Sequence, residues 1–245
     1  MLLSAANLIK ASFDLYKKHL PKFLEYSVLI YLPTLVAALI AYLLTLAMDE
    51  RQLAYYFISG ALLVVASLIA FWFSLAFIRI ISNCYQGRAS KPTRDEIIEA
   101  LDILWPVILS SILAGLAVLG GFVLLIIPGI IFSTWFAFVI YAVALDGEKN
   151  TAALRASKSL VTGRWWEVLW RLLAPGLVYL LITGIIQLPF DALAAASQSD
   201  IVGFISLVVS TLVSLALTPF ITGAQVILYL ELKKTPLKLV KSPKT

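Results

Sequence analysis

Three basic residues lie close together in one short segment of a chain that is otherwise strongly apolar. The segment ALRASKSLVTGRWWEV spans residues 153–168 and places tryptophans directly after the last of them. Guanidinium and ammonium groups bind phosphates, and tryptophan is enriched where helices enter a membrane. The segment therefore predicts contact with anionic lipid headgroups or another anionic ligand; the alternative is that it only anchors and orients the next helix. The residues concerned are Arg155, Lys158, Arg164, Trp165 and Trp166.

Small polar residues recur every four positions in the last apolar run of the chain. On a helix this spacing forms a nearly continuous stripe, where small side chains let helices approach closely and hydrogen-bond across the contact. Close packing is one interpretation. The other is a polar pathway or lipid groove, which Pro219 favours because it interrupts the helix nearby. The stripe consists of Ser206, Ser210, Ser214, Thr218 and Thr222.

Patterns for catalysis or metal binding are missing from the sequence. Cys84 is the only cysteine and His19 the only histidine, so they support neither a disulfide within the chain nor a histidine-based metal site. No nucleophile elbow, phosphate-cradling glycine loop or zinc spacing occurs, and the charged residues of the apolar runs lie near the ends of those runs. We expect no enzyme activity, no cofactor and no metal.

The composition requires a membrane environment. Hydrophobic residues make up 61% of the 245 residues and charged residues only 13%, which is too little polar surface for a water-soluble globule. The apolar runs are long enough for helices to cross about 30 Å of hydrocarbon. We predict an all-α integral membrane domain over residues 1–245. Its six spans lie at about 24–47, 53–81, 105–127, 129–146, 167–190 and 201–230.

The third and fourth spans come from one uncharged run, residues 105–145. A single helix of that length would measure about twice the hydrocarbon thickness, so the run must fold back. Its strongest breaker is the pair Pro128 and Gly129 in LLIIPGII. We predict a tight hairpin at this pair. A re-entrant loop would give the same topology, but its arms would be shorter than the two spans that this run provides.

The basic residues predict the orientation of the spans. Short cytoplasmic loops carry an excess of Lys and Arg. With the six spans above, 18 of the 19 basic residues fall on one side, and Arg51 in the turn MDERQ is the exception. We predict an inner-membrane protein with both termini in the cytoplasm. Because this charge is spread over four edges and follows the orientation rule, it does not indicate nucleic acid.

Short amphipathic segments precede three alternate spans. They cover residues 3–20, 93–104 and 150–164. The first and third resemble each other, since IKASFDL matches LRASKSL at Ala-Ser, at a basic residue and at a leucine. The middle segment shares only the helical period, and Thr93 and Glu96 have the spacing of a capping box at its start. We predict three copies of one unit, an interfacial helix followed by a transmembrane hairpin; chance similarity is the alternative. Gly163 is predicted to end the third interfacial helix.

The run from LLIIPGII to GRWWEVL resembles the core motif of the YciC-like family of bacterial inner-membrane proteins. It is also similar to the membrane domain of some glycerophosphodiester phosphodiesterases. The resemblance implies a multi-pass membrane domain. It does not imply phosphodiesterase activity, because in those enzymes a separate soluble barrel carries the catalytic residues. The matching positions are Pro128, Gly129, Ile130, Ala153, Leu154, Arg155, Ser157, Leu160, Gly163 and Trp166.

Two functions remain open from the sequence. The first is a non-catalytic membrane protein that interacts with lipids, through anionic headgroups on the cytoplasmic side, or that serves as a scaffold for a membrane-protein partner. The second is a small-solute or lipid transporter whose pathway follows the stripe of residues 206–222. No intramembrane acid or lysine near mid-span supports ion-driven transport, and we favour the first.

Overall fold

The computed structural model describes residues 2–47, 53–89, 91–197 and 200–236. In this part of the chain the structure is helical and contains no strand. The helices are α1 (Ala5–Lys18), α2 (Leu20–Ala47), α3 (Leu53–Tyr85), α4 (Thr93–Leu124), α5 (Ile126–Phe136), α6 (Val139–Asp146), α7 (Asn150–Val161), α8 (Trp165–Ser197) and α9 (Asp200–Lys234). The turn MDERQ and the lysines after residue 236 lie outside the described residues.

Six helical segments are long and apolar enough to cross a membrane. They are α2, α3, α4, α5 together with α6, α8 and α9. The all-α, six-span prediction is therefore confirmed, and the chain is a multi-pass membrane protein. Large apolar side chains are exposed along these helices, as for Leu39 of α2 at 58% and Leu188 of α8 at 68%. Such surfaces suit lipid rather than water.

Two of the three amphipathic segments form separate helices. These are α1 and α7, and Gly163 follows α7 with a φ of +88°, which glycine adopts without strain. The middle segment does not separate, because α4 continues from Thr93 through Pro106 into its span. The predicted capping box does not form either. Pro92 occupies the N-cap position, and no side chain caps the helix there.

The hairpin between the third and fourth spans turns three residues earlier than predicted. Leu125 is the extended residue between α4 and α5, with φ −165° and ψ 160°. Pro128 lies in the first turn of α5, where its missing N–H removes no hydrogen bond of the helix. Gly129 serves close packing, since a Cβ built at Gly121 would lie 3.1 Å from its Cα.

The fourth span is interrupted at Ala137 and Phe138, between α5 and α6, rather than being one helix. Ser157 of α7 stabilises the interruption. Its hydroxyl donates to the Trp135 carbonyl at 2.6 Å and accepts from the Phe138 amide at 3.1 Å. One buried serine thus provides partners for two backbone groups at the break.

The three amphipathic segments make equivalent contacts around the bundle. The first turns of α4 pack on α3, and α7 packs on α5 and α6, so each contacts the second span of the hairpin before it in the chain. The first segment, α1, packs on α9, the second span of the last hairpin, and so closes the ring. A hydrogen bond to a backbone carbonyl marks each contact. Ser12 donates to Phe220 at 2.6 Å, Ser157 to Trp135 at 2.6 Å, and Trp72 Nε1 donates to Ile97 at 2.7 Å. The threefold repeat stays a prediction, and these contacts are compatible with it.

The core lies at the end of the bundle where α1, α7 and the last turns of α3 and α9 meet, here called the basic end. Its fully buried side chains come from the second spans, for example Leu75 in α3, Ala142 in α6 and Ile227 in α9. Phe23 packs edge-on against Phe77, with ring centroids 5.5 Å apart. The packed basic end holds the candidate site in place.

Candidate functional site: a basic groove at the ends of α7 and α9

A cavity of about 490 Å³ opens between α7 and the last turn of α9. We call it the basic groove. Four of its lining residues are cationic, and none of those lining residues is acidic. Hydroxyl groups and two leucines complete the wall. The lining residues are Arg155, Lys158, Ser159, Leu160, Thr162, Arg164, Leu232, Lys233 and Pro236.

The helical period of α7 determines which side chains reach the groove. Ala153, Ser157 and Val161 are buried against the bundle. Arg155 and Lys158 are exposed, because they lie on the opposite face of the same helix. This division into faces is what the amphipathic pattern of residues 150–164 predicts.

Arg164 is part of the scaffold of the groove. Its side chain is only 8% exposed. Nη2 donates to the Leu232 carbonyl at 2.9 Å, and Nη1 donates to the Thr235 carbonyl at 2.6 Å. Nε donates to the Leu160 carbonyl at 2.8 Å. Arg164 therefore caps the C-terminus of α9, where a cation also suits the helix dipole.

The charge of Arg164 persists despite this burial. Burial lowers the pKa of its guanidinium, and Arg171 lowers it further while Glu167 opposes both. An arginine side chain stays protonated at neutral pH even when its pKa falls somewhat. The groove thus keeps a fixed positive charge in its wall, although each nitrogen of Arg164 already donates to a backbone carbonyl.

Arg155 and Lys158 are the predicted cations that remain accessible. Arg155 forms no hydrogen bond or ion pair with any of the described residues. Lys158 places Nζ 4.2 Å from the centroid of the Trp135 ring, a cation–π contact. Lys233 adds an unpredicted cation, and its Nζ lies 2.6 Å from Asp146 Oδ1. A ligand in the groove would therefore meet Arg155 and Lys158 first.

The two predicted tryptophans differ in exposure. Trp166 is 70% exposed at the start of α8, and Trp170 one turn later is 58% exposed. Trp165 is half-buried and packs on Trp166 with ring centroids 5.3 Å apart. Trp166 and Trp170 have the exposure expected of an interfacial belt, whereas Trp165 belongs partly to the packed core.

The polar stripe of α9 lies against other helices. Ser206 accepts from Gln187 Nε2 at 2.7 Å and donates to Asp191 Oδ1 at 2.6 Å, both on α8. Thr218 lies 3.0 Å from the Tyr31 hydroxyl of α2. Ser214 is 3.5 Å from the Tyr179 hydroxyl, and Ser210 and Thr222 are half-buried. These contacts favour the packing interpretation of the stripe.

Two acidic residues at the basic end are missing from the sequence prediction of the site. Glu96 is fully buried and accepts from Asn83 Nδ2 at 3.1 Å, with Arg79 Nε 3.6 Å away. Asp146 accepts hydrogen bonds from Tyr229 and Lys233. The spacing of Glu96 with buried Ala100 is a usable signal, since residues four apart share a helix face. Within the described ranges, no group of three or more His, Cys, Asp or Glu side chains could hold a metal ion.

Comparison with known families gives one match. A family described as a domain of unknown function, DUF7847, matches residues 97–232. The match covers more than half of the chain, from α4 to the end of α9, and it includes α7. No curated protein and no solved structure matches the chain.

Proposed function

Because the chain belongs to the DUF7847 family, whose function is unknown, we propose a role from the geometry of the basic groove: this multi-pass membrane protein binds the headgroups of anionic phospholipids and has no catalytic activity. The observation that carries the proposal is a cavity with four cations and no acidic residue in its wall. Each basic residue near an anionic surface contributes roughly 1 kcal/mol. Arginine adds a fork of donors that matches a phosphate group.

Apolar and aromatic neighbours support a lipid as the source of the anion. Leu160 and Leu232 line the groove beside the cations, and Trp166 and Trp170 are exposed one to two turns beyond it. A headgroup can lie on the cations while its acyl chains follow the exposed apolar face of α8. A scaffold role with a membrane-protein partner is compatible with this surface.

The orientation and the finer family assignment belong to the same proposal. Following the excess of basic residues at one end, we place that end in the cytoplasm of a cell whose inner membrane holds the protein. Membership in the YciC-like group is also proposed, on the motif that runs from Pro128 to Trp166. A fluorescent protein fused after Thr245 should fluoresce if the C-terminus is cytoplasmic. If a reporter that works only outside the cytoplasm is active at the same position, the predicted orientation is wrong.

Loss of both accessible cations is expected to weaken binding of anionic lipid. The double variant Arg155→Ala/Lys158→Ala removes about 2 kcal/mol of attraction, so retention of phosphatidylglycerol relative to phosphatidylcholine should fall about tenfold or more. Native mass spectrometry of the purified protein can count the retained lipids of each kind.

Lys10→Ala is the matched control for this experiment. Lys10 is exposed on α1, in the position that aligns with Arg155 in the two repeats, and it lies outside the groove. Its loss should leave the lipid preference nearly unchanged. Equal retention by the double variant and the original protein contradicts the proposal, and so does an equal loss in Lys10→Ala.

A further inference from the structure

A separate cavity of about 270 Å³ lies where the ends of α3, α6 and α9 meet at the basic end. We call it the central cavity. Each of these helices is the last part of a different hairpin, so the cavity lies where the three hairpins converge. Its wall is mainly polar, with Asn83 at the end of α3 and Gln86 directly after it beside four charged residues.

Positive charge dominates the wall of the central cavity. Three of its lining residues are basic, Arg79, Arg88 and Lys233, and one is acidic, Asp146. Both oxygens of Asp146 are already engaged: Oδ1 accepts from Lys233 Nζ at 2.6 Å, and Oδ2 accepts from the Tyr229 hydroxyl. The charge of Asp146 is therefore offset by Lys233, and its oxygens already have donors.

Two glutamates of α4 hold Arg79 in place. Nη2 of Arg79 donates to Glu99 Oε2 at 2.7 Å, and its Nε lies 3.6 Å from Glu96 Oε2. Glu99 also pairs with Lys91, which offsets part of its charge. Because Nε and Nη2 are turned toward these acids, the position of the guanidinium is fixed before any ligand arrives.

Donors remain free on two residues that line the cavity. Within the described part of the chain, Arg79 Nη1 forms no hydrogen bond, and the Arg88 side chain forms neither a hydrogen bond nor an ion pair. Unmatched cationic donors grouped around a cavity attract an anion that can accept several hydrogen bonds at once. The lining residues carry three positive charges and one negative charge, so their net charge favours an anion.

We infer that the central cavity binds a small phosphate-class anion, either inorganic phosphate or the phosphate of a water-soluble monoester. The volume of about 270 Å³ holds a phosphate group with a short substituent. The basic groove is a different cavity, which shares only Lys233 with it and has two leucines in its wall. The ligand and the site are thus distinct from the headgroup binding proposed above.

The test uses inorganic phosphate as the probe. Phosphate is titrated into the purified full-length protein in an uncharged detergent, and thermal unfolding is followed against sodium chloride at equal ionic strength. A ligand that binds the folded state raises the unfolding temperature in a concentration-dependent way. Arg88→Gln should weaken the apparent affinity for phosphate about tenfold or more, since a charge-assisted contact is lost. Arg88 is exposed and has no partner among the described residues, so the variant should fold normally.

Arg155→Ala is the control, because Arg155 lines the groove and not the central cavity. Arg155→Ala should bind phosphate like the original protein but retain less phosphatidylglycerol. Arg88→Gln should bind phosphate more weakly and retain phosphatidylglycerol like the original protein. The inference is overturned if phosphate acts no differently from chloride, if Arg88→Gln titrates unchanged, or if Arg155→Ala loses phosphate equally. Loss of phosphatidylglycerol in Arg88→Gln would instead make the cavity a lipid site. Since lipid retention is measured separately on the same variants, failure of either proposal is recognised on its own.

Discussion

Replacing Arg164 by alanine is expected to destabilise the folded protein by about 2–4 kcal/mol. The substitution removes the donor of the Leu232 carbonyl, which is buried, and the donor of the Thr235 carbonyl. A buried acceptor left without a partner costs about 1–3 kcal/mol. For a domain of this size the loss should lower the unfolding temperature by roughly 4–16 °C.

Thermal unfolding in detergent measures this effect, and hydrogen exchange locates it. The amides at the end of α9 should exchange faster, because the cap that joins them to residue 164 is gone. Arg155→Ala is the matched control: it removes the same side chain from the same groove, but Arg155 is exposed and has no partner within the described residues. We expect Arg155→Ala to change the free energy of unfolding by less than about 0.5 kcal/mol. An Arg164→Ala protein as stable as the original contradicts the capping role.

Alanine at Gly121 should destabilise the protein by about 1–3 kcal/mol, whereas alanine at Gly120 should not. A Cβ at Gly121 would lie 3.1 Å from the Gly129 Cα and 3.0 Å from the Phe132 ring, so the backbone of α5 must shift by a few tenths of an ångström. A Cβ at Gly120 meets no atom within 4 Å. There the higher helix propensity of alanine should leave stability unchanged or raise it by up to about 1 kcal/mol.

The comparison uses adjacent residues of one helix, so composition and membrane depth are nearly the same. Unfolding temperatures of Gly121→Ala and Gly120→Ala should therefore move apart, and the sign of the difference is the measurement. Equal temperatures would show that α4 and α5 do not cross as closely as described.

The features that the sequence predicted depend on short stretches of chain. Runs of about 20 apolar residues determine the spans, and a period of 3.6 residues determines the face of α7 that exposes Arg155 and Lys158. Gly163 ends the helix because of its own conformational freedom. None of these features needs a distant partner.

The features that the sequence did not predict depend on residues far apart in the chain. The break between α5 and α6 is stabilised by Ser157, which follows Trp135 by 22 residues. Arg164 meets Leu232 across 68 residues. Glu96 is buried because Asn83 and Arg79 of α3 provide its partners. Helical period can place Glu96 on the face of Ala100, but it does not identify these partners, and the capping pattern gave Glu96 a different role.

The three amphipathic segments differ in how they contact the neighbouring spans. Ser12 and Ser157 occupy the matching position of the repeated pattern, and each hydroxyl donates to a carbonyl of a neighbouring span. The middle copy carries no such serine contact and uses Trp72 of the neighbouring helix instead. Its amphipathic segment continues directly into the span as part of α4.

The central claim is that the basic groove binds an anionic headgroup, and a structure of the protein in lipid nanodiscs containing phosphatidylglycerol tests it most directly. The account predicts headgroup density in the groove, with a phosphate within hydrogen-bonding distance of Arg155 and Lys158. An empty groove contradicts the claim, as does headgroup density spread equally over all the basic residues at that end of the bundle.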